Sequence, residues 1–144
     1  MTSTPSAGYF RSGQPYTRIG HGPRTLVIFQ GLEFENKPPS PFMLKIYKFL
    51  EEAYTVFAVL PRPGLPAGYT MKDLADDYAG MIRAEFGQPV DVLGVSTGGS
   101  VVQHFAADHP DLLRRLVIHS SAYTLNDSAK RLQSRIGELA QQRR

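Results

Sequence analysis

Gly94-Val95-Ser96-Thr97-Gly98-Gly99-Ser100 is the most informative stretch of this 144-residue chain. It holds the pattern Gly-x-Ser-x-Gly, with Ser96 at the centre. The apolar run Val90 to Val95 leads into it, and the amphipathic stretch Ser100 to Ala107 leads out. That order predicts a buried strand, a sharp turn and a helix, the context in which the pattern carries chemistry. Glycine at 94 and 98 suits a turn that crowds its own backbone, where a side chain would collide. The helix would aim its N-terminal amides at the place where negative charge develops. The plainer reading is a glycine-rich turn between a core strand and a core helix, with Ser96 capping the helix.

Working outward, Leu26-Val27-Ile28-Phe29 and Tyr54 to Leu60 are continuous apolar runs, as in strands buried on both faces of a parallel sheet. Ser40 and Pro41 open a helix whose apolar face is read as Met43, Ile46, Tyr47 and Leu50. Thr70 and Asp73 form a capping-box pattern, and Leu74, Tyr78, Met81, Ile82 and Phe86 mark the helix face that follows, ended by Gly87. Val101, Val102 and Phe105 bury the helix after Ser96, which stops before Pro110. Leu116-Val117-Ile118 reads as the core of a last strand. Leu132, Ile136 and Leu139 mark a closing amphipathic helix. Residues 1–8 read as a flexible lead, residues 9–124 as one α/β core with an edge hairpin between Tyr9 and Ile19, and residues 125–144 as a basic amphipathic helix. Alternating strands and helices imply right-handed crossovers and a mostly parallel sheet with helices on both faces.

The run Val92-Leu93-Gly94-Val95-Ser96-Thr97-Gly98-Gly99-Ser100-Val101-Val102-Gln103 resembles the α/β-hydrolase fold. So do Ala106-Ala107-Asp108-His109-Pro110-Asp111-Leu112 and Arg115-Leu116-Val117-Ile118 after it. They look like the nucleophile elbow, the helix behind it and the next strand. The resemblance runs from about Gly8 to the end of the chain and covers the first half or so of the family's domain. It implies a fold truncated before its last strands, with residues 125–144 at the start of the family's lid region. It also implies that the Phe29 strand lies between the Leu60 and Val95 strands, with the loop Gln30-Gly31-Leu32 beside Ser96.

By resemblance, the activity is that of a serine hydrolase cleaving an ester-like acyl bond of a small molecule through an acyl-serine. Such chemistry needs an exposed hydroxyl, a base and donors for the oxyanion. Ser96 is the expected nucleophile. The backbone amides of Thr97 and Leu32 are the expected oxyanion donors. In the family, His-Gly usually precedes the position of Leu32, where this chain has Gln30-Gly31. An ordinary strand exit is the plainer reading of that loop. The family's histidine and usual acid follow later strands. Here His119 is the histidine at the carboxyl edge, set against a satisfied strand-end role, and Asp127 is a candidate acid, set against a helix-capping role. The alternatives are a catalytically inactive binding domain that keeps the crevice, and an acyltransferase relative.

Composition narrows the other classes. Residues 1–124 carry eleven Lys/Arg and eleven Asp/Glu, so the net +3 comes from the last twenty residues. A global basic surface for nucleic acid is therefore not indicated. No apolar run is long enough to span a membrane, and no secretory pattern opens the chain, so a cytoplasmic setting is expected. Cysteine is absent, which excludes disulfides and thiolate metal sites. No Gly-x-Gly-x-x-Gly follows a strand and no histidine pair has ligand spacing, so no cofactor or metal is expected. The Ile118 strand is expected to form an open edge able to pair with a second copy or a companion chain.

Overall fold

The computed structural model describes residues 4–31, 33 and 35–142. Six strands form one sheet in the order β1-β2-β4-β3-β5-β6. They are β1 (Ser6–Tyr9), β2 (Pro15–Ile19), β3 (Arg24–Phe29), β4 (Tyr54–Val59), β5 (Val90–Val95) and β6 (Leu113–His119). β3, β4, β5 and β6 are parallel, whereas β1 and β2 form an antiparallel hairpin joined to β4. β3 thus lies between β4 and β5, as the resemblance implied.

Helices α1 (Met71–Glu85) and α2 (Thr97–Asp108) cover one face of the sheet. Thr70 and Asp73 close the expected capping box on α1, and Gly87 follows the helix at φ 62°. Tyr78, Met81 and Ile82 of α1 pack with Val101, Val102 and Phe105 of α2 over Val27, Phe29 and Val92. Each such large side chain contributes about 1.5–3 kcal/mol on burial. The 3₁₀ helix Met43–Leu50 lies on the other face, where Leu44 packs with Ile28, Val56 and Ala58. Helix α3 (Asp127–Gln141) ends the described chain, and Leu132, Ile136 and Leu139 on it are exposed.

Two sequence readings are corrected. Residues 6–8, read as flexible, belong to β1. The hairpin turns at Gly13 (φ 92°), and Phe10 anchors it, stacked on Tyr16 with ring centroids 4.4 Å apart. The segment 43–50 buries Leu44 and half-buries Tyr47 and Leu50, leaving Met43 and Ile46 exposed. A 3₁₀ helix repeats every three residues, so its inner row is 44, 47, 50 rather than a 3.6-residue pattern. Val117 and Ile118 form the expected open edge strand and are 58% and 42% exposed. β6 is the sheet edge, and its apolar side chains lack cover.

The opposite, amino-terminal end of the strands is held by charge. β5 and β6 shift register between Val90 and Asp91, so that Arg114 is the extra residue on β6. Its guanidinium makes two hydrogen bonds to the Asp91 carboxylate, at 2.8 and 3.0 Å, and the Tyr54 hydroxyl donates a third at 2.9 Å. Arg24 stacks over the Tyr54 ring at 4.4 Å. Burial alone would raise the Asp91 carboxyl, but the Arg114 and Tyr54 hydrogen bonds outweigh it and hold it below the usual carboxylate range. A carboxylate held low in the folded state adds stability above its unfolded pKa and loses it as pH falls through the folded value. Arg114→Met leaves the buried charge unpaired and is expected to cost roughly 2 kcal/mol at pH 7, less than a fully buried pair because Arg114 is partly exposed. Acid unfolding followed by circular dichroism should begin at a higher pH in the variant. Unchanged stability and an unchanged acid midpoint would contradict this role.

Candidate functional site

The site is built where β5 stops and α2 starts. Ser96 joins them with φ 53° and ψ −121°, a conformation that side-chain-bearing residues rarely adopt. Such strain costs on the order of 1–3 kcal/mol and persists only where the surroundings over-determine it. Here backbone crowding supplies the constraint. A Cβ at Gly94 would lie 2.5 Å from Val102 Cγ1 and 2.7 Å from Gly99 Cα. At Gly98 it would overlap the Phe29 carbonyl. The first turn of α2 therefore rests directly on the carboxyl end of β3, a contact that any side chain would prevent.

Ser96 is exposed, and its side chain makes no helix-capping hydrogen bond. That removes the reading of Ser96 as a cap. Its N–H donates to His119 O at 3.1 Å, and its carbonyl accepts from Gly99 N at 2.9 Å. The loop after β3 faces it: a Cβ at Gly31 would lie 3.2 Å from Ser96 Cβ and 3.7 Å from Ser96 Oγ. Thr97, the first residue of α2, has no intrahelical acceptor for its N–H. The helix dipole adds roughly half a positive charge at that end. An exposed hydroxyl thus stands beside a backbone donor with a second loop in contact, an arrangement able to bind and attack a polarised carbonyl. Leu32 lies outside the described residues.

The structure places the histidines apart. The His109 ring meets Asp76 Oδ1 at 2.7 Å on the far side of α2, and the His104 ring packs near Tyr123. His21 is exposed in the turn before β3. His119 comes to the elbow through its carbonyl, while its exposed ring lies 3.5 Å from Ser120 Oγ. Asp127 is exposed in the first turn of α3, and Asn126, not Asp127, caps that helix by accepting from Ala129 N at 2.9 Å. Among the described residues no hydrogen bond joins Ser96 to the His119 ring or to Asp127. Sequence reasoning missed Ser121, which lies against Gly99 of the elbow; a serine after a strand gives no sign of it.

The family model for the alpha/beta hydrolase fold matches residues 49–141, and the chain belongs to that family. Over 123 residues it is 31% identical to the 2-(acetamidomethylene)succinate hydrolase of Mesorhizobium japonicum, covering 81% of this chain and 42% of that protein. Over 44 residues it is 43% identical to the pimeloyl-[acyl-carrier protein] methyl ester esterase of Chromobacterium violaceum, covering 31% of this chain and 17% of that one. A hydrolase structure from Pseudomonas aeruginosa PA01 shares the fold at 22% identity and a TM-score of 0.69, over 96% of this chain and 54% of that one. The chain spans about half or less of the length of these relatives. No helix among the described residues is long and apolar enough to cross a membrane.

Two substitutions test the geometry. Gly98→Ala drives a methyl group into the backbone of a central strand and is expected to destabilise the fold by about 3 kcal/mol or more. Ser96→Gly should be more stable than Ser96→Ala by about 1 kcal/mol, because only glycine relieves the positive φ. Urea unfolding of the three variants checks both, and equal midpoints for Ser96→Gly and Ser96→Ala would contradict the strain.

Proposed function

We propose that this chain carries the nucleophile of a serine hydrolase that cleaves an ester-like acyl bond of a small molecule. The observation that carries the reading is Ser96 itself: an exposed, uncapping hydroxyl held at φ 53° at the start of α2. Ser96 Oγ attacks the acyl carbon and its proton passes to a base. The carbonyl oxygen becomes an oxyanion facing the amide of Thr97, with Leu32 assigned as the second donor only by resemblance to the family. Collapse expels the leaving group, which takes the proton, and leaves an acyl-serine. Water, deprotonated by the same base, then releases the acid and restores Ser96. The relatives' names support hydrolysis, one as a hydrolase and one as a methyl ester esterase.

His119 at the carboxyl edge and Asp127 at the start of α3 are this chain's own candidates for base and acid, and neither is hydrogen-bonded to Ser96 among the described residues. Loss of a triad base costs on the order of 10⁴–10⁶ in rate, so the source of the base decides whether these residues turn over alone. A fluorophosphonate probe read by intact mass tests the reading. Wild-type protein should take up one probe per chain, and Ser96→Ala none. His119→Ala should abolish labelling if its ring is the base, and leave it unchanged if the base lies outside residues 4–142. A folded wild-type sample that takes up no probe would contradict Ser96 as an activated nucleophile.

A further inference from the structure

The segment leaving β6 is fastened to the elbow at three successive points. His119 O accepts the Ser96 N–H at 3.1 Å. Ser121 packs onto Gly99 so closely that a Cβ there would lie 2.5 Å from Ser121 Oγ. Ala122 O accepts from Ser100 Oγ at 2.8 Å. Between these contacts, Ser120 is held at φ 51° without being glycine. The Ser121 hydroxyl is buried and has no hydrogen-bond partner among the described residues.

Each feature has a cost. A serine held at positive φ is strained, and a buried hydroxyl without a partner forgoes the hydrogen bonds it makes in water. Ordinary packing of a strand end needs neither. Both fall within three residues, and all of the contacts run to the turn that is itself strained. The contacts also divide the labour: one fixes the Ser96 backbone, one closes the back of the turn at Gly99, and one ties the first turn of α2.

We infer that His119–Ala122 is a positioning clamp for Ser96, with Ser100 and Ser121 as positioning residues that never touch the reacting atoms. Ser100 Oγ holds the Ala122 carbonyl, which keeps Ser121 against Gly99 and the His119 carbonyl on the Ser96 amide. The turn then keeps its positive φ, and the hydroxyl keeps its aim. The part of this inference that concerns reactivity rests on Ser96 being the nucleophile; the part that concerns backbone geometry does not.

The test pairs amide hydrogen exchange by NMR with fluorophosphonate labelling on the full 144-residue chain. In Ser100→Ala, exchange at the Ser96 amide should rise about tenfold or more, while the amides of Val27 and Val92 in the central strands keep their rates. The labelling rate should fall by about tenfold or more, since small misplacements are costly to reactivity. Ser100→Thr keeps the donor oxygen and should restore both. Ser121→Gly removes the side chain that packs on Gly99 and should raise Ser96 exchange as Ser100→Ala does. The clamp is overturned if Ser100→Ala frees the amides of 120–122 while Ser96 exchange stays the same. It is equally overturned if Val27 and Val92 accelerate in step with Ser96, because Ser100 would then act on overall stability. Absence of labelling in wild type would sink the nucleophile reading alone, and the exchange data would still decide the clamp.

Discussion

The close approach of the α2 backbone to the carboxyl end of β3 is the constraint on which the site depends. Gly98 lies where no side chain fits against the Phe29 carbonyl, and Gly94 lies under Val102 and Gly99. With the helix start pressed against the sheet, the chain has one residue in which to reverse from strand to helix. That residue is Ser96, and its positive φ is the geometric consequence. Its side chain is thrown outward and its amide inward, toward β6. The strain at Ser96 is therefore imposed by packing on both sides of the turn.

The two ends of the sheet are held by different physics. At the carboxyl end, the contacts are steric and backbone-mediated: glycine against carbonyl, and the Ser96 amide on His119 O. At the amino end, charge does the work, with Arg114 and Tyr54 sharing the Asp91 carboxylate across β4, β5 and β6. The aromatic and aliphatic layer under α1 and α2 lies between them. The positive end of the α2 dipole lies beside Ser96 at the carboxyl end.

Much of this was legible in the residues. Gly-x-Ser-x-Gly between an apolar run and an amphipathic one defined the turn, and Thr70 with Asp73 marked the start of α1. The open apolar edge expected at the Ile118 strand is there too: β6 ends the sheet, and Val117 and Ile118 are exposed on it. What escaped had physical reasons. The segment 43–50 was read at the α-helical period, but a 3₁₀ helix turned a different row of side chains inward. Arg114 reached Asp91 because the register shifts by one residue, and a bulge leaves no mark in a hydrophobic pattern. Ser120, Ser121 and Ala122 form no pattern in the sequence, because their meaning lies in contacts to residues about twenty positions earlier in the chain.

Family membership fixes the fold and says less about turnover, since the chain spans under half of the longest-aligned curated relative. The most direct measurement is therefore to trap the covalent intermediate. The protein would be mixed with a short-chain aryl ester, quenched in acid, digested and read by mass spectrometry. The account predicts one acyl group, on the peptide containing Ser96, absent in Ser96→Ala. An acyl group found on another residue, or ester cleavage that survives Ser96→Ala undiminished, would contradict it.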